Sequence, residues 1–116
     1  VRKSLSVENT YFTDLKSIEE CLEQLPKLYE NFKQRLTKAN ATEAISGHVV
    51  KIKFYDFSQT TLERANRTLP TVASFSDLVA AAYNRAKKPV RLIGIGVRLS
   101  EKSEAKPDTA NQLQLF

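Results

Sequence analysis

Few residues in this chain could carry covalent chemistry, and their spacing argues against it. There is one histidine, His48, and one cysteine, Cys21. A single cysteine forbids an internal disulfide, and one Cys with one His cannot fill a four-ligand zinc site. Metal-assisted phosphoryl transfer needs carboxylates that converge, yet Asp14, Asp56, Asp77 and Asp108 fall in four separate segments without metal-ligand spacing. His48 opens a predicted strand. Cys21 lies beside the apolar stripe of a predicted helix, where it reads as a small buried hydrophobe rather than a reactive thiol. The expectation is no catalytic residue, no metal site and no cofactor in this chain, which by itself is not an enzyme.

The chemistry that the sequence does support is binding, at two places. The first is a concentration of cations. Residues 1–46 balance seven basic against seven acidic side chains. Residues 47–100 hold nine basic (Lys51, Lys53, Arg64, Arg67, Arg85, Lys87, Lys88, Arg91, Arg98) against three acidic (Asp56, Glu63, Asp77). The formal charge of +5 therefore originates in the second half of the folded region, as expected where one surface meets a polyanion; an ordinary solvated face is the competing reading. The second place is the C-terminus, Gln112-Leu113-Gln114-Leu115-Phe116. After a polar stretch, these residues suit a peptide docked in a groove, with Leu115 and Phe116 in an apolar pocket and the Gln112 amide at its rim. Folding back onto the chain's own core is the alternative.

Both places depend on the elements that position them. A chain of 116 residues suffices for one domain with one core. No apolar run approaches a membrane span and no signal peptide opens the chain, which predicts a soluble, cytoplasmic protein. Residues 3–11 alternate as a short strand. From Asp14, the residues Leu15, Ile18, Leu22, Leu25, Tyr29, Phe32 and Leu36 recur at helical spacing, with Thr13 or Asp14 as N-cap and Pro26 kinking or splitting the helix. Glu19, Glu20, Glu23 and Glu30 fall on its solvated side. Residues 48–57 alternate as a second strand, with Val50, Ile52 and Phe54 on one side and Lys51, Lys53 and Tyr55 on the other. Residues 59–65 form its hairpin partner after a turn at Phe57-Ser58. A loop over 66–71 precedes a helix that a capping box at Ser74–Asp77 opens and Pro89 ends. Val90 to Ser100 form the last strand, with Ile93, Ile95, Val97 and Leu99 inward. Gly94-Ile95-Gly96 lies inside this alternation with no helix behind it, so it is not a phosphate loop; outward glycines point to close approach of another backbone.

The order β-α-β-β-α-β predicts an α+β domain, a four-stranded sheet with two helices packed on one face. The bare face would carry Ser4, Ser6, Lys51, Lys53, Tyr55 and Arg98, with Arg64 and Arg91 at its margins. Cations and small hydroxyls on an open sheet suit phosphate tracking better than a pocket. Residues 1–100 form the domain, 101–111 a flexible linker and 112–116 the docking peptide.

Several stretches resemble one family. The terminal Gln-Leu-Gln-Leu-Phe is similar to the bacterial sliding-clamp-binding pentapeptide. Val1-Arg2-Lys3-Ser4, Asp56-Phe57-Ser58-Gln59-Thr60-Thr61 and Val90-Arg91-Leu92-Ile93-Gly94-Ile95-Gly96-Val97 resemble, in that order, the little finger (C-terminal) domain of Y-family DNA polymerases, in particular the bacterial polymerase IV (DinB) branch. The resemblance implies a non-catalytic domain that lays its sheet across template–primer duplex DNA without reading sequence. It further implies that the chain is a fragment of an error-prone translesion polymerase, with the catalytic domains and their Mg2+ upstream of Val1. Carried over, Arg2, Lys3, Ser4 and Ser6 lie beside the DNA. By strand parity, Lys51, Lys53, Thr61, Arg91 and Arg98 are expected to contact phosphates and Arg64 to lie among the DNA-binding residues, while Gly94 and Gly96 would let the DNA backbone approach. Gln112, Leu113, Leu115 and Phe116 bind the bacterial β sliding clamp, and the loop from Ala65 to Ala73 adds a second contact on its rim. The fragment is expected to be monomeric. Other readings are a clamp-binding adaptor with no DNA role, an RNA-binding sheet for which only Tyr55 offers an exposed central aromatic, and the equivalent domain of a sibling Y-family subunit.

Overall fold

The computed structural model describes residues 3–100. Strand β1 spans Lys3–Leu15, helix α1 Ile18–Glu23, helix α2 Leu25–Ala39, strand β2 Ile45–Phe54, strand β3 Gln59–Ala65, helix α3 Val72–Asn84 and strand β4 Val90–Leu99; a single 3-10 turn, Thr42–Ala44, leads into β2. Pro26 decides how the first helical region is built. A proline lacks the N–H that a helix interior requires but is tolerated in the first turn. The region accordingly divides, with Gln24 as the C-cap of α1 and the N-cap of α2 and Pro26 in the first turn of α2. Asn40 ends α2 in the left-handed region (φ 53°), returning its backbone N–H to Leu36 and Thr37.

Two predicted helix starts shift for identifiable reasons. Neither Thr13 nor Asp14 caps the first helix, because β1 runs on to Leu15; Ser17 is the N-cap, accepting from Glu20 N–H at 3.2 Å. The capping box lies three residues earlier than the spacing at Ser74 suggests. Thr71 Oγ1 accepts from Ser74 N–H at 3.1 Å, and Ser74 Oγ accepts from Thr71 N–H at 2.8 Å. A serine thus fills the position usually held by Glu.

The four strands lie in the order β1-β4-β2-β3, every neighbouring pair antiparallel. The last strand in sequence is therefore interior, paired with β1, the first, on one side and with β2 on the other. Directly opposed residues in such pairs point to the same side. One side carries Val7, Ile95, Val50 and Leu62 in a row, with Ile93, Val97, Ile52 and Phe54 around them. Against it pack Leu25, Leu28, Phe32 and Leu36 of α2 and Phe75, Leu78, Val79 and Ala82 of α3. Phe32 and Phe75 meet edge to face, 5.5 Å between centroids. Burying each such side chain contributes roughly 1.5–3 kcal/mol, less the entropy of ordering it.

Two polar groups in this layer are accounted for. His48 shares the parity of Val50 and is buried, its Nε2 2.8 Å from the Thr68 carbonyl and its ring against Phe75. Cys21 is fully buried, and burial pushes its thiol up to about 12, so it stays protonated as an inert hydrophobe.

Candidate nucleic-acid interface

The other side of the same strands contributes nothing to that core. Register sets it out in rows running β1, β4, β2, β3: Ser4–Arg98–Gly47–Ala65, Ser6–Gly96–Val49–Glu63, Glu8–Gly94–Lys51–Thr61 and Thr10–Leu92–Lys53–Gln59. No strand residue from these rows belongs to the cluster on which α2 and α3 pack. Ser4, Ser6, Lys51, Lys53, Thr61, Gly94, Gly96 and Arg98 thus share one open face, as strand parity predicts.

Arg91 joins this face by an irregularity. Lys53 pairs with Leu92 and the next residue, Phe54, with Val90, so β4 carries one extra residue, Arg91. A bulge of this kind bends the strand and re-aims a side chain. The Arg91 guanidinium lies 4.9 Å from the Phe57 ring centroid, and Lys53 Nζ approaches the same ring at 5.9 Å. Phe57 occupies the β2–β3 turn at φ 69°, held by Asp56 Oδ1 accepting from Ser58 N–H at 3.1 Å and Ser58 Oγ at 2.6 Å. Exposed Tyr55 belongs to the same turn, its N–H donating to the Pro89 carbonyl.

Arg64 departs from the expected margin. It opposes His48, so its parity is that of the helix side, although edge position leaves it exposed. Two other cations of the basic half tie the β2–β3 hairpin to the end of α3 and the segment after it. Lys88 pairs with Asp56 at 2.7 Å, holding the Asp56 carboxyl well below its ordinary range, and Arg85 donates to Thr60 Oγ1 at 2.7 Å and to the Thr61 carbonyl.

The outer face also holds acids that the segment-by-segment charge count does not reveal. Glu8 pairs with Lys51 at 3.2 Å, Glu63 with Arg98 at 2.9 Å, and Asp14 approaches Arg91 at 3.8 Å. Glu8 shares the parity of Ser4 and Ser6, and Glu63 that of Thr61, so the alternation already contained the signal. What was missing was that β1 and β3 flank β4 and β2.

The glycines have local reasons. A Cβ on Gly96 would lie 2.5 Å from the Leu5 carbonyl oxygen and 2.8 Å from Ser6 Cα. The close backbone approach at this residue is that of β1. At Gly94 the nearest atom would be Glu8 Cβ at 3.3 Å, and at Gly47 it would be Glu63 Oε2 at 3.3 Å. These two glycines lie beneath the side chains that form the ion pairs.

Arg2 and residues 101–116, including Gln112, Leu113, Leu115 and Phe116, lie outside the described residues; of Lys3 only its backbone place in β1 is described. Among the described residues no three His, Cys, Asp or Glu side chains converge as metal ligands, and no helix is long and apolar enough to cross a membrane.

Residues 2–115 match the impB/mucB/samB family C-terminal domain. The chain is 47% identical over 100 residues to DNA polymerase IV of Ectopseudomonas mendocina, covering 86% of this chain and 28% of that protein. It is 46% identical over 117 residues to DNA polymerase IV of Pseudomonas savastanoi pv. phaseolicola, covering 99% and 31%. The chain therefore spans less than a third of the length of these curated relatives. Among solved structures, a complex of beta-clamp processivity factor and the little finger domain of PolIV contains a chain that superposes with TM-score 0.72 at 33% identity, covering 97% of this chain and 98% of that one. The Dbh DNA polymerase in a post-insertion binary complex shares the fold over 84% of this chain and 28% of its own, with TM-score 0.64 at 14% identity.

Proposed function

The chain belongs to the impB/mucB/samB family as its C-terminal domain, the little finger of a polymerase IV, and from that premise we propose that its outer sheet face grips template–primer duplex DNA. The parent protein is an error-prone translesion DNA polymerase, active in the bacterial cytoplasm, and catalysis lies in domains other than this one. The observation that carries the reading is the alignment of Lys51, Lys53, Arg91 and Arg98 with Ser4, Ser6 and Thr61 on one sheet face that the helices leave open. Ammonium and guanidinium groups on a broad face suit phosphates rather than base edges, so the contacts fix position without reading sequence.

The test is a fluorescence-anisotropy titration of the chain with DNA duplexes of unrelated sequence at rising salt. With about five phosphates neutralised, counterion release alone gives a log–log slope of roughly −4 to −5, and affinity is expected to fall with salt and to vary little with sequence. Strong preference for one sequence, or no salt dependence, overturns the reading.

We also propose that Gln112–Phe116 tethers the domain to a bacterial β sliding clamp. Its support is the terminal Gln-Leu-Gln-Leu-Phe itself, together with the related little finger solved in complex with a clamp. Leu115 and Phe116 would supply roughly 3–6 kcal/mol of burial before the cost of ordering the tail. Deleting residues 112–116 should abolish binding to immobilised clamp in surface plasmon resonance and leave duplex affinity nearly unchanged. Undiminished clamp binding by the truncated chain would show that the tail is not the anchor.

A further inference from the structure

The cations of the outer face are not simply presented to solvent. Lys51 and Glu8 come from β2 and β1, the two neighbours of β4, and their charged ends meet at 3.2 Å across the strand between them, at the row of Gly94. Arg98 and Glu63 come from β4 and β3, the two neighbours of β2, and meet at 2.9 Å across Gly47. Each pair thus spans a strand at a residue with no side chain to obstruct it. The charged groups are partly exposed, with side-chain exposures of 39% and 53% in the first pair and 34% and 37% in the second.

We infer that Glu8 and Glu63 are built-in competitors for phosphate, which make duplex binding an exchange of one anion for another and hold its affinity down. This rests on the proposed duplex grip. A phosphate reaching Lys51 or Arg98 competes with a carboxylate already there, and a displaced carboxylate stays on the face as a negative charge beside the DNA. Two costs follow: the ion pair is lost, and the freed carboxylate draws in a solution cation. The cation uptake opposes the counterion release that drives binding, so the salt slope is shallower than the number of phosphate contacts would give. A grip weakened in this way suits a sheet that must release and re-form its contacts at each step along a duplex.

The variants Glu8→Gln and Glu63→Gln remove the competing charge and keep the side-chain shape. Exposed ion pairs of this strength predict about a two- to fivefold tighter duplex affinity for each at low salt. The double variant should steepen the log–log salt slope by about 1–2, so that its affinity converges with the parent's at high salt. Glu30→Gln, the same charge change on exposed α2, controls for net charge. Thermal melts keep loss of fold apart from loss of binding. Affinity and slope equal to those of Glu30→Gln would show that the pairs only join strands, and weaker binding would show that the carboxylates pre-position the cations; either overturns the inference while the parent's salt-dependent binding leaves the duplex reading standing. If neither parent nor variants bind duplex in a salt-dependent manner, the duplex reading falls and takes the inference with it.

Discussion

On the helix side, β2 and β4 present Val50, Ile52, Phe54, Ile93, Ile95 and Val97 to a layer of phenylalanines and leucines. One residue along, the same two strands present the half-buried Lys51, Lys53 and Arg98 on the opposite face, with Gly94 and Gly96 covered between them and Glu8 and Glu63 reaching in from the flanking strands. The inner face is held by shape and exclusion of water. The outer face is held by charge pairs that water already weakens, and those are the interactions a polyanion can replace. A strand that alternates strictly can serve both ends because neighbouring side chains never share a face. Stability and recognition are therefore expected to separate cleanly on substitution.

The largest effect should come from the inner face. Phe75→Ala removes a ring that contacts Phe32, Tyr29 and His48 and is expected to cost about 3–5 kcal/mol in urea unfolding, with the duplex affinity of the folded fraction unchanged. Lys51→Glu combined with Lys53→Glu should do the reverse: duplex affinity falls at least about a hundredfold in anisotropy, while the unfolding midpoint barely moves. A large loss of stability from the lysine pair, or of binding from Phe75→Ala, would break the separation.

A finer division lies between two outward glycines. Gly96→Ala drives a methyl into the β1 backbone and should cost about 1–3 kcal/mol. Gly94→Ala meets mainly the movable Glu8 side chain and should be much milder in the same unfolding assay. Equal costs would contradict the register of β1 on β4.

The smallest effect concerns the Asp56–Lys88 pair at the hairpin turn. Lys88 and Ser58 lower the Asp56 carboxyl below its ordinary value of 3.8. A carboxyl lowered on folding stabilises above that value, and its contribution is lost as pH falls through the folded-state value. Thermal melts of Asp56→Asn and parent should therefore differ slightly near neutral pH and converge in strong acid. A gap that widens with acid would reverse the assignment.

Much of this was legible beforehand because it depends on local period. Alternation located the strands and assigned Lys51, Lys53 and Arg98 to the side away from Ile52 and Ile95. Proline chemistry marked the break at Pro26, and Gln59–Ala65 was readable as a hairpin partner. The starts of the two helical regions were less legible. A strand that overruns its alternation hides the cap at Ser17, and Thr71 with Ser74 forms a box from residues that equally suit a loop.

The sequence by itself determined which side of β2 and β4 turns away from the helices and where the cations cluster along the chain. Both were readable because parity and composition are properties of neighbours along the chain. Only the tertiary structure decided that β4 lies between β1 and β2. That choice brings Glu8 to Lys51 and Glu63 to Arg98, places Gly96 against β1 and carries Arg91 outward on a bulge. Such pairings join residues dozens of positions apart. Coulomb attraction and backbone contact act through space at a few ångströms, so they exist only once the strand order is set.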